Sequence, residues 1–409
     1  MSTISKSAYP INNQEPLALK SKRIYAIDLL RGIVMIVMAL DHVRDYFHVD
    51  AFFYSPTDLT QTNVALFFTR LITHFCAPIF IFLAGISACL YGAKRSRKQL
   101  SFFLLIRGIW LILAECFIVT FEWTFNPSYP YFNLAVIWVT GVSMVFMSAI
   151  IYLNKKVISV VGILLIAGHN LLDNVNVPGG GFGSFLWALI HEPGYFTFGN
   201  FSFSVRYALL PWLGIMATGY AVGNLYLSNY HSAKRRATFI YVGLGAMVLF
   251  VILRCNNWYG DAAHWSLQKS GLLSLLSFLN VSKYPPSLLY ALMTLGPALT
   301  FLALIEKPSG KWSSVVSVFG RVPMFYYLAH LYLIHMMAMG AAVLSGYEWA
   351  DMILTTSVNN AIALKGYGFN LPIVYIIWIA VVLILYPICK KFDQYKRANQ
   401  STKWWLSYW

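Results

Sequence analysis

Charge is what this chain lacks most: 11% of its 409 residues are Asp, Glu, Lys or Arg, and 58% are hydrophobic. Soluble domains carry roughly 25% charged residues to cover their surface, so a soluble globular protein is excluded. Cysteine is sparse too. The five, Cys76, Cys89, Cys116, Cys255 and Cys389, stand singly with no CxxC and no metal-ligand spacing. That argues against a disulfide scaffold and against any metal site, and reads the thiols as small buried apolar groups. No GxxxxGK[ST], HExxH or GxSxG occurs, which removes P-loop, zinc-protease and nucleophile-elbow chemistry. The first 23 residues are polar and lack the apolar core of a signal peptide, so the first span must itself direct insertion. There is no internal repeat and no low-complexity tract, and one membrane domain fits better than two.

Apolar runs of about twenty residues fill the chain instead, each long enough to cross a bilayer. Lipid leaves backbone polar groups no outside partner, so these runs must be helices. They do not alternate at period two, which rules out a β-barrel. The expected fold is all-α: a polytopic bundle of about ten spans at 25–46, 67–92, 101–121, 133–153, 157–175, 205–227, 237–255, 286–306, 315–338 and 370–390. The expected layout is a tail at 1–24, a transmembrane domain at 25–390 and a tail at 391–409.

The net charge of +15 comes from 30 basic against 15 acidic residues. The basic residues cluster between runs, as in Lys20/Lys22/Arg23, Lys94/Arg95/Arg97/Lys98, Lys234/Arg235/Arg236 and Lys390/Lys391/Lys396/Arg397/Lys403. Of the 30, twenty fall in the termini and every second loop, seven in or near the opposite loops, and three (Arg31, Arg107, Arg321) inside spans. This asymmetry follows the positive-inside rule, puts both termini in the cytoplasm and argues against nucleic acid as a partner. The outer loops are longer and rich in aromatic, Gly, Pro and Asn residues. Loop 176–204 carries Pro178-Gly179-Gly180-Gly181, Trp187 and His191, the kind of segment that displays binding residues or simply sits at the interface.

Ionisable groups inside a span cost several kcal/mol unless paired or solvated, so each is a functional candidate. The first span holds the densest set. Asp28, Arg31, Met35, Met38, His42 and Asp45 form one stripe, since Arg31 and His42 lie about 20° apart around the helix and roughly 16 Å apart along it. A cation at the inner end can hold phosphates. An imidazole at the outer end can take a proton from an attacking nucleophile. Asp41 or Asp45 could set the tautomer of His42, with Asp45, three residues on, better placed. Asp28 and Arg31 also fit a plain ion pair, and His42 a passive interface residue. Weaker candidates are His48, His74, Arg107, Glu115 and Glu122, His169-Asn170 with Asp173, and Arg321, His330 and His335, the last group read as one ninth span. Each also fits a structural hydrogen bond between helices.

The segment Ile27-Asp28-Leu29-Leu30-Arg31-Gly32-Ile33, followed by Met38-Ala39-Leu40-Asp41-His42, resembles the first span of transmembrane acyltransferases related to heparan-α-glucosaminide N-acetyltransferase, in particular bacterial relatives of unassigned substrate. The likeness continues in Thr73-His74-Phe75-Cys76-Ala77-Pro78, Gly168-His169-Asn170-Leu171-Leu172-Asp173, Pro211-Trp212-Leu213-Gly214 and Phe319-Gly320-Arg321-Val322-Pro323. The resemblance implies acyl transfer from cytosolic acetyl-CoA, or another acyl-CoA, to an amine or hydroxyl on a glycan or other extracytoplasmic acceptor. It also implies a multi-pass protein of the bacterial cytoplasmic membrane. Related bacterial O-acyltransferases share an Asp-x-x-Arg-Gly first span with an important His near its outer end, where His42 falls. The lysosomal enzyme has Asn there and its catalytic His in the first luminal loop, where this chain offers only His48 at a different spacing. His42 is therefore the preferred base, with Asp41, Asp45, His48 and His74 as further catalytic candidates. Asp28, Arg31 and Arg321 are the candidates for holding the donor. Transfer could be direct or through an acyl-histidine. A transporter or flippase of a small polar or lipid-linked molecule is the alternative, and a structural or sensory membrane protein a third. Oligomeric state is left open, a dimer among the options.

Overall fold

The computed structural model describes residues 24–227, 230–306 and 310–408. The expected N-terminal tail, with Lys20, Lys22 and Arg23, and the loop cation Lys307 fall outside them. The elements in chain order are α1 Tyr25–Phe47, α2 Val64–His74, α3 Cys76–Gly92, α4 Arg97–Leu113, α5 Thr120–Thr124, β1 Tyr131–Leu134, α6 Val136–Ile150, α7 Lys155–Gly168, α8 Phe182–Ile190, β2 Gly194–Phe198 and β3 Phe201–Val205. After these come α9 Leu209–Gly223, α10 Ser232–Asn256, α11 Gly271–Leu279, α12 Leu288–Leu304, α13 Gly310–Arg321, α14 Pro323–Leu344 and α15 Leu371–Asn399. Six stretches are helical, long and apolar enough to cross a membrane: Val64–Gly92, Arg97–Thr124, Lys155–Leu172, Ser232–Asn256, Pro323–Leu344 and Leu371–Asn399. The shorter α6 and α12 are apolar as well. The charges of α1 keep it out of that set.

Three features depart from the expected bundle. The fold is mostly helix, 72%, but 5% is strand. A hairpin of β2 and β3 turns at Gly199, whose φ of +60° suits glycine, and β3 pairs in parallel with β1. Secondly, the stretch read as one span at 315–338 is two helices. Pro323 has no N–H to donate and disfavours helical backbone before it, so α13 stops at Arg321, Val322 leaves the helical region, and Pro323 opens α14. Arg321 and His335 therefore do not share one helix face. Thirdly, α15 continues past 390 to Asn399, and the turn Trp404–Tyr408 folds back so that Tyr408 packs on Phe103 of α4.

Glycines let the helices approach closely, the usual device where lipid supplies no hydrophobic drive to association. A Cβ on Gly32 would run into the Val316 carbonyl, and one on Gly320 into that of Asp28, so α1 and α13 lie backbone to backbone. α1 is the central helix, packed against α2, α3, α13, α14 and α15. The Trp378 indole of α15 donates to the Ile36 carbonyl at 2.8 Å. Within the Arg97–Thr124 stretch a π turn, Ala114–Val119, carries buried Glu115. Its carboxylate accepts the Trp138 amide at 2.9 Å and so caps the start of α6. Glu115 is thus committed to structure.

Candidate active site

A chain of three cavities runs beside α1. At one end lies a vestibule of about 800 Å³ lined by Asp41, His42, Arg44, Asp45, Trp123, Arg206, Tyr207, Lys283 and Tyr284 among others. At the other lies a cavity of about 310 Å³ lined by Asp28, Arg31, Ser87, Arg107, Arg321 and Lys396. Between them is a hollow of about 40 Å³. It shares Asp41, His42, Lys283 and Tyr327 with the vestibule, and Phe80 and Ile137 with the far cavity. His42 stands where the vestibule narrows.

His42 is held by an unforeseen partner. Its Nδ1 lies 2.8 Å from Nε2 of His330 on α14, and Nδ1 of His330 lies 2.8 Å from the Tyr326 carbonyl. A carbonyl only accepts, so His330 carries its proton on Nδ1 and accepts at Nε2. His42 must then donate from Nδ1, which leaves the lone pair on its Nε2. Trp123 sets its ring edge-on to His42 at 5.0 Å, and the Trp123 carbonyl accepts from the Tyr46 hydroxyl at 2.7 Å.

Neither aspartate hydrogen-bonds the His42 ring, whose side-chain partner is His330. Asp41 takes ion pairs from Arg44 at 2.7 Å and from Arg70, and a hydrogen bond from Thr73 Oγ1 at 2.8 Å. Asp45 is bound by Arg44 at 2.6 Å. The tautomer-setting part expected of Asp45 falls geometrically to His330, because the buried guanidinium of Arg44 claims both carboxylates. His48 is buried just past the end of α1, where its backbone bridges to Phe369, and it does not line the vestibule. Burial holds its imidazole below the ordinary value against the opposing pull of Asp50. His74 is buried beside Tyr290, whose hydroxyl donates to the His74 carbonyl at 2.6 Å, and it lines neither the vestibule nor the hollow.

At the far end Arg31 pairs with Asp28 at 3.5 Å and donates to the Gly320 carbonyl and to Ser87 Oγ at 3.1 and 2.7 Å. Arg321 is bound by Asp393 at 2.9 Å, and Lys396 donates to the Arg321 carbonyl at 3.1 Å. Arg107 stacks over Phe103 and donates to the Ser407 carbonyl. The cavity therefore gathers four cations, of which sequence reasoning singled out Arg31 and Arg321 as donor-binding.

The vestibule holds the larger surprise. Of the seven cations counted to the outer side, five, Arg44, Arg70, Arg206, Lys283 and Lys365, converge on its wall, against the carboxylates of Asp41 and Asp45. Burial alone would raise the Tyr284 phenol, but Lys283, Arg70 and Arg206 outweigh it and hold that phenol below the ordinary value. Arg44 stands on α1, Arg70 on α2 and the other three in separate loops, and the only signal for them was their presence on the side where basic residues are scarce.

No curated protein compared with this chain matches it. The family model for the heparan-alpha-glucosaminide N-acetyltransferase catalytic domain matches residues 23–253, from the residue before the described chain through most of α10. His42, Arg31, Arg70, Arg107 and Arg206 fall inside this stretch, while Lys283, Arg321, His330 and Lys396 lie beyond it. With more than half its length matched, the chain belongs to the heparan-alpha-glucosaminide N-acetyltransferase catalytic family.

Proposed function

We propose that this integral membrane protein is an acyl-CoA-dependent acyltransferase. It moves an acyl group, acetyl in the first instance, from the cytoplasmic side to an amine or hydroxyl at the extracytoplasmic face, on a glycan or other acceptor. Family membership supports a membrane acetyltransferase-like function in general. The specific reading rests on one observation: a small hollow shares walls with a cavity holding four cations and with a vestibule, and His42 lines both hollow and vestibule.

In this reading Arg31, Arg107, Arg321 and Lys396 hold the donor's phosphates. Phe80 and Ile137 line the passage for its thin arm, which delivers the thioester to His42. His42 Nε2 takes the proton from the attacking nitrogen or oxygen as the new bond to the acyl carbon forms. The carbon–sulfur bond then breaks, and the proton held on His42 passes to the departing thiolate. Lys283, which lines both hollow and vestibule, faces the negative charge that develops on the carbonyl oxygen. If His42 Nε2 attacks first, the carbon–sulfur bond breaks and the thiolate departs as an acyl-histidine forms. The acceptor nitrogen or oxygen then displaces Nε2 from the acyl carbon, and its proton passes through the freed Nε2 to the thiolate. His330 keeps the Nε2 lone pair available on either route. The accompanying topology is ten spans with both termini in the cytoplasm, in a bacterial cytoplasmic membrane.

Titration of the purified protein with acetyl-CoA by calorimetry tests the reading. Binding is expected in the wild type, weakened by Arg31→Ala and mostly spared by His42→Ala. His42→Ala should lower thioester turnover with acceptor by the ~10²–10⁴-fold a general base supplies. Two cavities on either side of a neck also suit a transporter, which needs no CoA site. Absence of acetyl-CoA binding would overturn the acyltransferase reading in its favour.

A further inference from the structure

A second cluster of chemically able side chains lies away from these cavities, where α7 meets the loop after α8. His169 closes α7, Asp173 follows one helical turn later, and His191 ends α8. One donor atom from each can be chosen so that all three lie within 4.8 Å of one another. Both imidazoles are buried, with 3% of His169 and 2% of His191 exposed. The Pro286 carbonyl lies beside the His169 ring, but neither ring nitrogen of His169 makes a well-aligned hydrogen bond, and Nδ1 of His191 makes none. Two adjoining buried imidazoles that each leave a nitrogen unsatisfied are costly and rare in a settled structure. The Asp173 side chain closes the group, its Oδ1 3.3 Å from His191 Nε2.

We propose that His169, Asp173 and His191 bind a divalent first-row metal ion such as Zn²⁺. Two imidazole nitrogens and one carboxylate oxygen are a donor set such ions take, with a fourth position for water. Binding needs ligand distances of roughly 2.0–2.2 Å, so donors already within 4.8 Å of one another need only small side-chain movements. The surroundings are those of an outer shell. Asn170 Nδ2 donates to Asp173 Oδ2 at 2.9 Å, which turns the carboxylate, and Asn170 Oδ1 accepts the Leu288 amide at 3.0 Å, which anchors the group to the start of α12. Trp187 packs against the His191 ring at 5.4 Å. The sequence reading named no metal because two ligands four residues apart and a third eighteen residues later match no signature spacing.

The clip ties the end of α7 to the segment that leads, three residues later, into β2, then β3, and on to Arg206 and Tyr207 in the vestibule wall. Its role is to fix that lobe, and it is independent of the acyl-transfer reading, since none of the three residues lines the vestibule, the hollow or the far cavity. The test uses the full-length protein, stripped with chelator and titrated with ZnCl₂ alone. Bound zinc is counted by elemental mass spectrometry, and melting and proteolysis of the 176–204 loop are followed in parallel. One zinc per chain is expected, with a raised Tm and slower cleavage. His169→Gln and His191→Gln should weaken binding by at least the roughly tenfold that loss of even an outer-shell partner costs, and His264→Gln, at an exposed loop histidine, should not. Cobalt substitution into the wild type gives a readout that does not depend on variants folding, because histidine and carboxylate ligation at low coordination number produces intense visible bands. Zinc well below one equivalent, unchanged affinity in both glutamine variants, or cobalt bound with only the weak spectrum of the hydrated ion would each overturn the proposal.

Discussion

When one imidazole hydrogen-bonds another, the last acceptor in the line decides where every proton sits. Here that acceptor is the Tyr326 carbonyl, and through His330 it leaves the His42 lone pair on Nε2. His330 is thus a positioning residue for the proposed base, and its loss should act on turnover more than on donor binding. His330→Ala is expected to lower kcat towards the ~10²–10⁴-fold effect of losing the base itself, with calorimetric affinity for acetyl-CoA little changed. His330→Gln retains an oxygen that can accept from His42 Nδ1 and should recover part of the rate; equal loss in both variants would remove the positioning role. The vestibule offers a second residue-scale prediction. The cations Lys283, Arg70 and Arg206 hold the Tyr284 phenol below its ordinary value of 10.0. The unfolded chain keeps that proton to higher pH, so ionisation of Tyr284 adds stability as pH rises from the folded value towards the unfolded one, and adds none below the folded value. Ultraviolet difference titration should show a phenolate forming below pH 10 that Tyr284→Phe removes and Lys283→Met returns towards the ordinary range. Melting of wild type minus Tyr284→Phe should gain stability across the same window.

Between helices, the contact that matters most to the donor end is that of α1 with α13. Arg31 donates to the Gly320 carbonyl, so the glycine that allows backbone contact is also the residue that orients the guanidinium. In Gly320→Ala the new methyl meets the Asp28 carbonyl, which cannot move without shifting α1. Overpacking of this kind costs about 1–3 kcal/mol. The expected outcome is a lower Tm and weakened acetyl-CoA binding by calorimetry, whereas Gly245→Ala, facing open space on α10, should leave both unchanged. Much of α1 was legible beforehand because a single helix obeys one period, and 100° per residue aligns Arg31 with His42 without tertiary information. His330 was visible as a buried polar residue, yet nothing local joins it to a histidine 288 positions away. The break at Pro323 was legible and overridden by the apolar run around it. The alternation Phe201-Ser202-Phe203-Ser204-Val205 after Gly199-Asn200 is likewise a hairpin signal, hidden by treating everything between spans as loop. The convergence of Arg206, Lys283 and Lys365 has no local signal at all, since three separate loops supply them.

Across the whole molecule the charge asymmetry and the cavities bear on the same question, which face is which. On the ten-span reading twenty of the 30 basic residues fall on one side, and five of the seven assigned to the other line the vestibule wall, so those five say little about topology by themselves. Setting those five aside sharpens the bias, because the cations left to interact with the insertion machinery on that side are few. The vestibule should therefore open outward and the cavity around Arg31 inward, the direction that transfer from a cytoplasmic donor requires. Single cysteines placed at Gly180, in the loop between α7 and α8, and at Lys94, between α3 and α4, test this in intact cells with a membrane-impermeant thiol reagent. The background should carry Cys255→Ser, because Cys255 is the native thiol that lies exposed. Labelling at position 180 in intact cells, and at position 94 only after permeabilisation, is the expected pattern. The opposite pattern would turn the molecule over and put the cationic cavity outside, where no pool of acyl-CoA could reach it.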